Sequence, residues 1–184
     1  AKVNFGSDRS TSRTDSYITK VTKRGQSSNG QANVGSSEFE SNLFELTVSY
    51  KDTLAGSHQI NAVAGYSYQD FNDRGFNARS QNFPTDAFLT NNLGAGEQER
   101  YTLGSSRSKN QLLSYLGRVN YSWKNRYLAT VSFRIDGSSR FGADEKYGYF
   151  PSLALGWKMD QESFMSGLDF VSSLKLRGSY GVTG

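Results

Sequence analysis

The side chains able to do chemistry in this chain of 184 residues are few and scattered. There is no cysteine and a single histidine, His58, so thiolate chemistry, a disulfide framework and a multi-histidine metal site are excluded. A Ser-His-Asp arrangement would have to be built on that one imidazole, and His58 opens a strand beside a turn. Asp136 and Glu45 are the carboxylates a β-rich hydrolase could use, but nothing in their spacing pairs them. Ser138, Ser139 and Arg140 follow Gly137 and offer donors for a phosphate, yet no helix start carrying a lysine follows them. Their structural reading is a turn in which Gly137 and Gly142 relieve backbone strain and Arg140 pairs with Asp136 or Asp144. Asp144 and Glu145 lack the spacing of a calcium loop and read as a solvated hairpin tip. No catalytic residue, cofactor or metal ligand is expected.

The composition narrows what can hold these groups. Only 35% of residues are hydrophobic, yet 14% are aromatic, with 11 Tyr, 12 Phe and 2 Trp. A mean hydropathy of −0.63 and 19 glycines would suit a disordered chain, but disordered chains are poor in aromatics. No run approaches the roughly 18 apolar residues of a membrane helix. The net charge of +4 is mild and its basic residues are spread along the chain, so no nucleic-acid partner is expected. The chain opens Ala1-Lys2-Val3, without initiator methionine or leader, and reads as an internal piece of something longer.

Alternation with period two dominates. Tyr127, Ala129, Val131, Phe133 and Ile135 share an apolar face, with Thr130, Ser132, Arg134 and Asp136 opposite. The same pattern runs through Leu113 to Trp123, Phe44 to Tyr50, Ile60 to Gln69, Tyr149 to Asp160 and Leu174 to Val182. A weaker strand is expected over Tyr17 to Arg24. The total is about seven strands, antiparallel if hairpins join them. Loop parity supports hairpins. Trp123 and Tyr127 both belong to apolar faces, so the turn Lys124-Asn125-Arg126 sets Val119 opposite Val131 and Tyr115 opposite Ile135, with Asn125 a plausible left-handed residue. An odd loop around Ala55-Gly56 does the same between Tyr50 and Ile60. Tight turns fall at one end of the strands. Looser connections, Gly25 to Gly35 and Gly137 to Lys146, and a long loop of about 81–106 fall at the other. The last connection, Gln161 to Val171, lies at the tight-turn end and is expected to hold a helical turn around Ser163 to Leu168.

A one-sided apolar sheet either packs on a second sheet or faces lipid. Tyr50, Trp123, Tyr127 and Trp157 gather beside the tight turns, as an interfacial girdle does. Arg118, Arg134, Lys158, Lys175 and Arg177 sit mid-strand on the polar face, which suits a wet lumen. Short turns at one end and long loops at the other are the asymmetry of bacterial outer-membrane barrels. Periodicity alone leaves a soluble β-sandwich open, as a carbohydrate-binding or adhesin module.

The segment Arg134-Ile135-Asp136-Gly137-Ser138-Ser139-Arg140-Phe141-Gly142, followed by Gly148-Tyr149-Phe150-Pro151-Ser152 and Gly156-Trp157, resembles the SusC/RagA family of TonB-dependent outer-membrane transporters of the Bacteroidetes. Leu174-Lys175-Leu176-Arg177-Gly178-Ser179-Tyr180-Gly181-Val182-Thr183-Gly184 is similar to that family's next strand. Ala64-Gly65-Tyr66-Ser67-Tyr68-Gln69 and Asn82-Phe83-Pro84-Thr85-Asp86 resemble it too, and the likeness is strongest over 107–184. The resemblance implies an all-β fold: about seven antiparallel strands of a barrel of about 22, whose plug domain lies outside this span. It implies a partial barrel over 1–184, import of oligosaccharides or peptides across a Gram-negative outer membrane, energy from TonB, and a SusD-like lipoprotein at the extracellular mouth. On that reading Arg118, Asn120, Arg134, Asp136, Lys158 and Arg177 line the lumen. Phe83, Phe88 and Tyr101, in the extracellular loop, either touch substrate or the lipoprotein or pack the loop on the barrel rim.

Overall fold

A computed structural model of the chain describes residues 1–142, 146–167 and 170–183. Seven strands run in chain order: β1 (Lys2–Ile18), β2 (Gln31–Leu54), β3 (His58–Gln81), β4 (Thr102–Trp123), β5 (Tyr127–Ser138), β6 (Tyr147–Lys158) and β7 (Lys175–Gly181). They form one sheet in the order β1-β2-β3-β4-β5-β6-β7, an all-β meander as the alternation predicts. β4, β5, β6 and β7 pair antiparallel. The chain forms two compact units. One holds residues 1–6, 43–69 and 111–184, the other residues 7–42 and 70–110.

In the first unit the register follows from loop parity. Trp123 stands opposite Tyr127, Val119 opposite Val131 and Tyr115 opposite Ile135. Three residues make the turn, and Lys124 and Asn125 are both left-handed, with φ of 50° and 54°. The β2–β3 connection also leaves three residues, with Ala55 and Gly56 left-handed. Across β4 to β7, every apolar-face residue therefore meets another. Val131 is flanked by Val119 and Leu153, and Ala129 by Tyr121 and Leu155. None of these is buried: Val131 is 53% exposed and Leu155 55%. Among the described residues of the first unit no second layer covers this face.

The second unit differs from expectation in three ways. The first strand is Lys2–Ile18, not Tyr17 to Arg24; Lys23–Gln26 forms a helical turn, α1, whose start is capped by the Thr22 hydroxyl accepting from the Gly25 N–H. Residues 7–16 are all polar, so no alternation marks them. Backbone pairing holds the strand, helped by Ser7 donating to Asn42 and Arg9 facing Glu40 at 3.3 Å. β2 and β3 are also far longer than their apolar stretches, at 24 residues each. A strand crossing a bilayer needs only about 9–11 residues. Finally, the long loop is no free coil. It runs from Asn82 to Tyr101 and winds through three short 3-10 turns.

Two smaller expectations are corrected or bounded. Ser163–Met165 forms a 3-10 turn where a helical turn is expected over Ser163 to Leu168, Leu168 lying outside the described residues, and Met159–Gln161, expected to end the alternating strand, forms another 3-10 turn. Neither Gly137 nor Gly142 has a positive φ, so neither relieves backbone strain. Gly137 is needed for space instead, because a Cβ there would stand 2.7 Å from the Tyr147 ring. Asp144 and Glu145 lie outside the described residues.

Candidate functional site

Registry puts all six expected lumen residues on one face, but Lys158 ends β6 and Lys175 opens β7, so neither is mid-strand as expected. Arg118 is opposite Ser132, Asn120 opposite Thr130 and Asp136 opposite Ser114; Lys158 meets Lys175, and Arg177 meets Gly156. Antiparallel partners point the same way, so this polar face is continuous across β4 to β7. It carries its own hydrogen bonds: Thr130 Oγ1 to Asn120 at 2.9 Å, and Ser132 with Ser152 at 2.6 Å. Arg134 takes Asp136 through Nε at 2.6 and 2.8 Å. The apolar intruders lie flat over glycines. A Cβ at Gly65 would strike Leu116 at 2.9 Å, and one at Gly148 would strike Phe150 at 2.7 Å.

The carboxylates Asp136 and Glu45 do not meet. They sit on β5 and β2, three strand steps or about 14 Å apart. Glu45 accepts from Asn4, and Asp136 is committed to Arg134. The paired-carboxylate geometry of a glycosidase is therefore absent from these two residues. Ser138 and Ser139 are spent on the turn as well, accepting from the backbone N–H of Arg140 and Gln111.

The opposite face carries two aromatic belts. Beside the tight turns, His58, Trp123, Tyr127 and Trp157 stack in sequence on β3 to β6, with centroids 6.0, 5.3 and 6.4 Å apart. Phe164 extends the row at 6.3 Å from Trp157. His58 is a member of this row, and its Nδ1 shares a hydrogen bond with the Tyr121 hydroxyl at 2.7 Å. The second belt is Phe5, Phe44, Tyr66 and Tyr115, with centroids 5.1, 6.0 and 5.3 Å apart, continued by Tyr149 on β6. Three strands carry both belts, and the interval is the same on each. Tyr66 to His58, Tyr115 to Trp123 and Tyr149 to Trp157 are all eight residues. At about 3.3 Å per residue that is about 26 Å along the strand, and Ala64, Val119, Val131, Leu153 and Leu155 fill the interval. Of the girdle expected from sequence, Trp123, Tyr127 and Trp157 are in the first belt, but Tyr50 is not: it lies with Ala62, Val119 and Val131 in the interval, and His58 takes the place beside Trp123. The second belt needs the register to be seen as a row.

One group that the sequence reading missed ties the first belt to its turn. Glu162 receives Tyr127 OH at 2.6 Å, Trp157 Nε1 at 3.0 Å and the Arg126 guanidinium at 3.0 Å. Hydrogen bonds from Tyr127 and then Trp157, with the Arg126 charge beside them, hold its carboxyl below the usual carboxylate range. A value lowered by folding adds stability above the ordinary carboxylate pKa and loses it as pH falls through the lowered one. Glu162→Gln in the full-length protein should therefore weaken the belt at neutral pH and flatten its acid titration, read as Trp157 emission against pH. An unchanged acid limb would dismiss the tie.

The long loop is latched at its base within the second unit. Phe83 is fully buried, edge-on to Tyr17 at 5.6 Å. Asn82, left-handed at φ 58°, donates its N–H to Ser28 O at 2.9 Å, and Phe83 N–H donates to Asn29 O at 3.0 Å. Asp86 receives Tyr17 OH at 2.7 Å and the Lys20 N–H at 3.3 Å. Of the three loop aromatics, Phe83 thus packs the loop, while Phe88 and Tyr101 stay more than a third exposed. Tyr101 is held from its tip, its hydroxyl reaching Gly94 O and Gly96 O at 2.9 and 3.0 Å.

No protein-family model matches the chain. Among curated proteins it is 38% identical over 140 residues to the TonB-dependent receptor P26 of Formosa agariphila, covering 76% of this chain. It is 38% identical over 148 residues to the TonB-dependent receptor SusC of Bacteroides thetaiotaomicron, covering 80% of this chain. In both cases the match spans 14% of the relative's length. Among solved structures, the RagAB peptide transporter matches over 97% of this chain and 20% of that chain, with a TM-score of 0.80 at 23% identity. The same importer in its closed-closed state gives 0.81. The uncovered two-faced meander, the belts and these relatives agree: the chain belongs to the SusC/RagA family of TonB-dependent receptors, as a segment of its barrel.

Proposed function

We propose that residues 1–184 form part of the wall of an outer-membrane importer for oligosaccharides or peptides, driven through TonB and working with a SusD-like surface lipoprotein. One observation carries the reading. Two aromatic belts, eight residues apart on three strands, bound an exposed apolar band whose reverse side is polar and charged. Eight residues along a strand tilted about 40° rise about 20 Å, close to the apolar band of about 25 Å that outer-membrane barrels carry between such girdles, over a polar interior. On this reading the belt faces lipid, and Arg118, Asn120, Arg134, Asp136, Lys158 and Arg177 line the lumen. The long loop lies on the extracellular side, offering Phe88 and Tyr101 to cargo or lipoprotein. RagAB is described as a peptide importer, which supports peptides as one cargo class.

The test uses the full-length protein in its host. Deleting its gene should abolish uptake of one saccharide or peptide pool, and restoring it should bring uptake back. The protein should fractionate with outer membranes and need detergent for extraction. A particle that dissolves without detergent, with uptake of every cargo intact, overturns the reading.

A further inference from the structure

Two arginines of the second unit face each other with no acid between them. Gly75 stands across from Ser106, since a Cβ at Gly75 would meet Ser106 Oγ at 2.8 Å, and Gly104 likewise stands across from Asn77. β3 and β4 are neighbours, and this register sets Arg74 directly opposite Arg107. Like charges directly opposite each other destabilise a sheet. Both residues are exposed, and among the described residues neither forms an ion pair. Other arginines of the same unit do: Arg9 faces Glu40 at 3.3 Å, Arg13 takes Asp15 at 3.1 Å and Arg100 takes Glu97 at 2.7 Å.

Arg107 is also held in place. Its Nε donates to Asn72 Oδ1 at 3.0 Å, and Asn72 is only 9% exposed. That bond uses one edge of the guanidinium and leaves its terminal nitrogens to a ligand. Arg74, Gly75, Ser105, Ser106 and Arg107 line one shallow cleft. Ser105 is two positions from Arg107 on the same side of β4, and its hydroxyl makes no hydrogen bond among the described residues. A carboxylate is matched by one guanidinium through two parallel bonds. A phosphate monoester carries a charge of about −1.5 to −2 and three acceptor oxygens, enough to engage two guanidinium groups and a hydroxyl together. We propose that Arg74 and Arg107 form a phosphate-binding site, with Ser105 as a further donor. A glycolipid headgroup and a free phosphate offer the same chemistry. The site does not depend on what the barrel imports.

Arginine labelling of the full-length protein in detergent tests it. A glyoxal reagent modifies unengaged guanidinium groups, and peptide mass spectrometry reads each position. Three probes are compared at equal ionic strength: inorganic phosphate, lipopolysaccharide, and the same lipopolysaccharide stripped of its phosphates. The expected result is roughly tenfold slower labelling of Arg74 and Arg107 with at least one phosphate-bearing probe, as both guanidinium groups become engaged. Arg24, exposed on α1, should label at an unchanged rate. Protection by intact lipopolysaccharide alone assigns the site to a lipid headgroup, and protection by inorganic phosphate assigns it to the free ion. Arg107→Lys keeps the charge but has no planar fork, so it should lose most of the protection at Arg74. Equal protection by the stripped lipopolysaccharide, equal slowing at Arg24, or no slowing with any probe each overturns the site and leaves the importer reading standing.

Discussion

Val131→Arg in the full-length protein is expected to cost about 2–4 kcal/mol of barrel stability, the price of a cation at the bilayer midplane. The depth comes from the register. Val119, Val131 and Leu153 form one cross-strand row. That row lies four residues from Tyr115 and four from Trp123, midway between the belts. Val131 is 53% exposed, so the arginine meets no steric barrier and the loss reads lipid solvation alone. Ser132 is a poor control because it faces Arg118. Ala154 is a better one, lying opposite Thr130 and Ser179 on the polar face at nearly the same depth. Ala154→Arg should cost under about 1 kcal/mol, since a luminal position keeps its water. Urea unfolding in lipid vesicles compares the two. Equal costs at both sites would mean that the sheet has no lipid side.

That comparison is possible because half of the fold can be read directly from the residues. From Leu113 along β4, and along β5 and β6, the alternation keeps its register, with Leu116, Leu128 and Phe150 the large apolar exceptions on the polar face, and a three-residue turn carries the parity from β4 to β5. The face of Arg118, Asn120, Arg134, Asp136, Lys158 and Arg177 follows from the same arithmetic. The first strand was hidden because residues 7–16 bury neither face, so period two has no apolar residues on which to appear. Glu162 was hidden for another reason. It is a lone carboxylate in a loop, and its three donors come from two strands and a turn. The latch joins residues 53 to 69 positions apart, through Asn29 with Asn82 and Tyr17 with Asp86. Only the unusual run Asn82-Phe83-Pro84-Thr85-Asp86 signalled it, and that run does not say what it grips.

Phe83→Ala is expected to be the most damaging single change to the loop, costing about 3–5 kcal/mol as a fully buried phenylalanine removed from its packing. Phe83 is the only large apolar side chain that the described residues bury completely. It is also the point where the loop departs from β3, so its loss acts on everything from Asn82 to Tyr101. Asn82 and Asp86 flank it with hydrogen bonds to Ser28, Tyr17 and Lys20, and those bonds need Phe83 seated to stay aligned. In the full-length protein the variant should be cut by protease within residues 84–100 at concentrations that leave the parent loop intact. The strands of the other unit should stay resistant, because the belts, β5, β6 and β4 from Gln111 onward lie there. Phe88→Ala supplies the contrast: that side chain is 39% exposed, so its removal should leave protease resistance unchanged and touch only what the loop binds. If both variants are cut alike, the loop is held by its tip, and the buried phenylalanine is not its anchor.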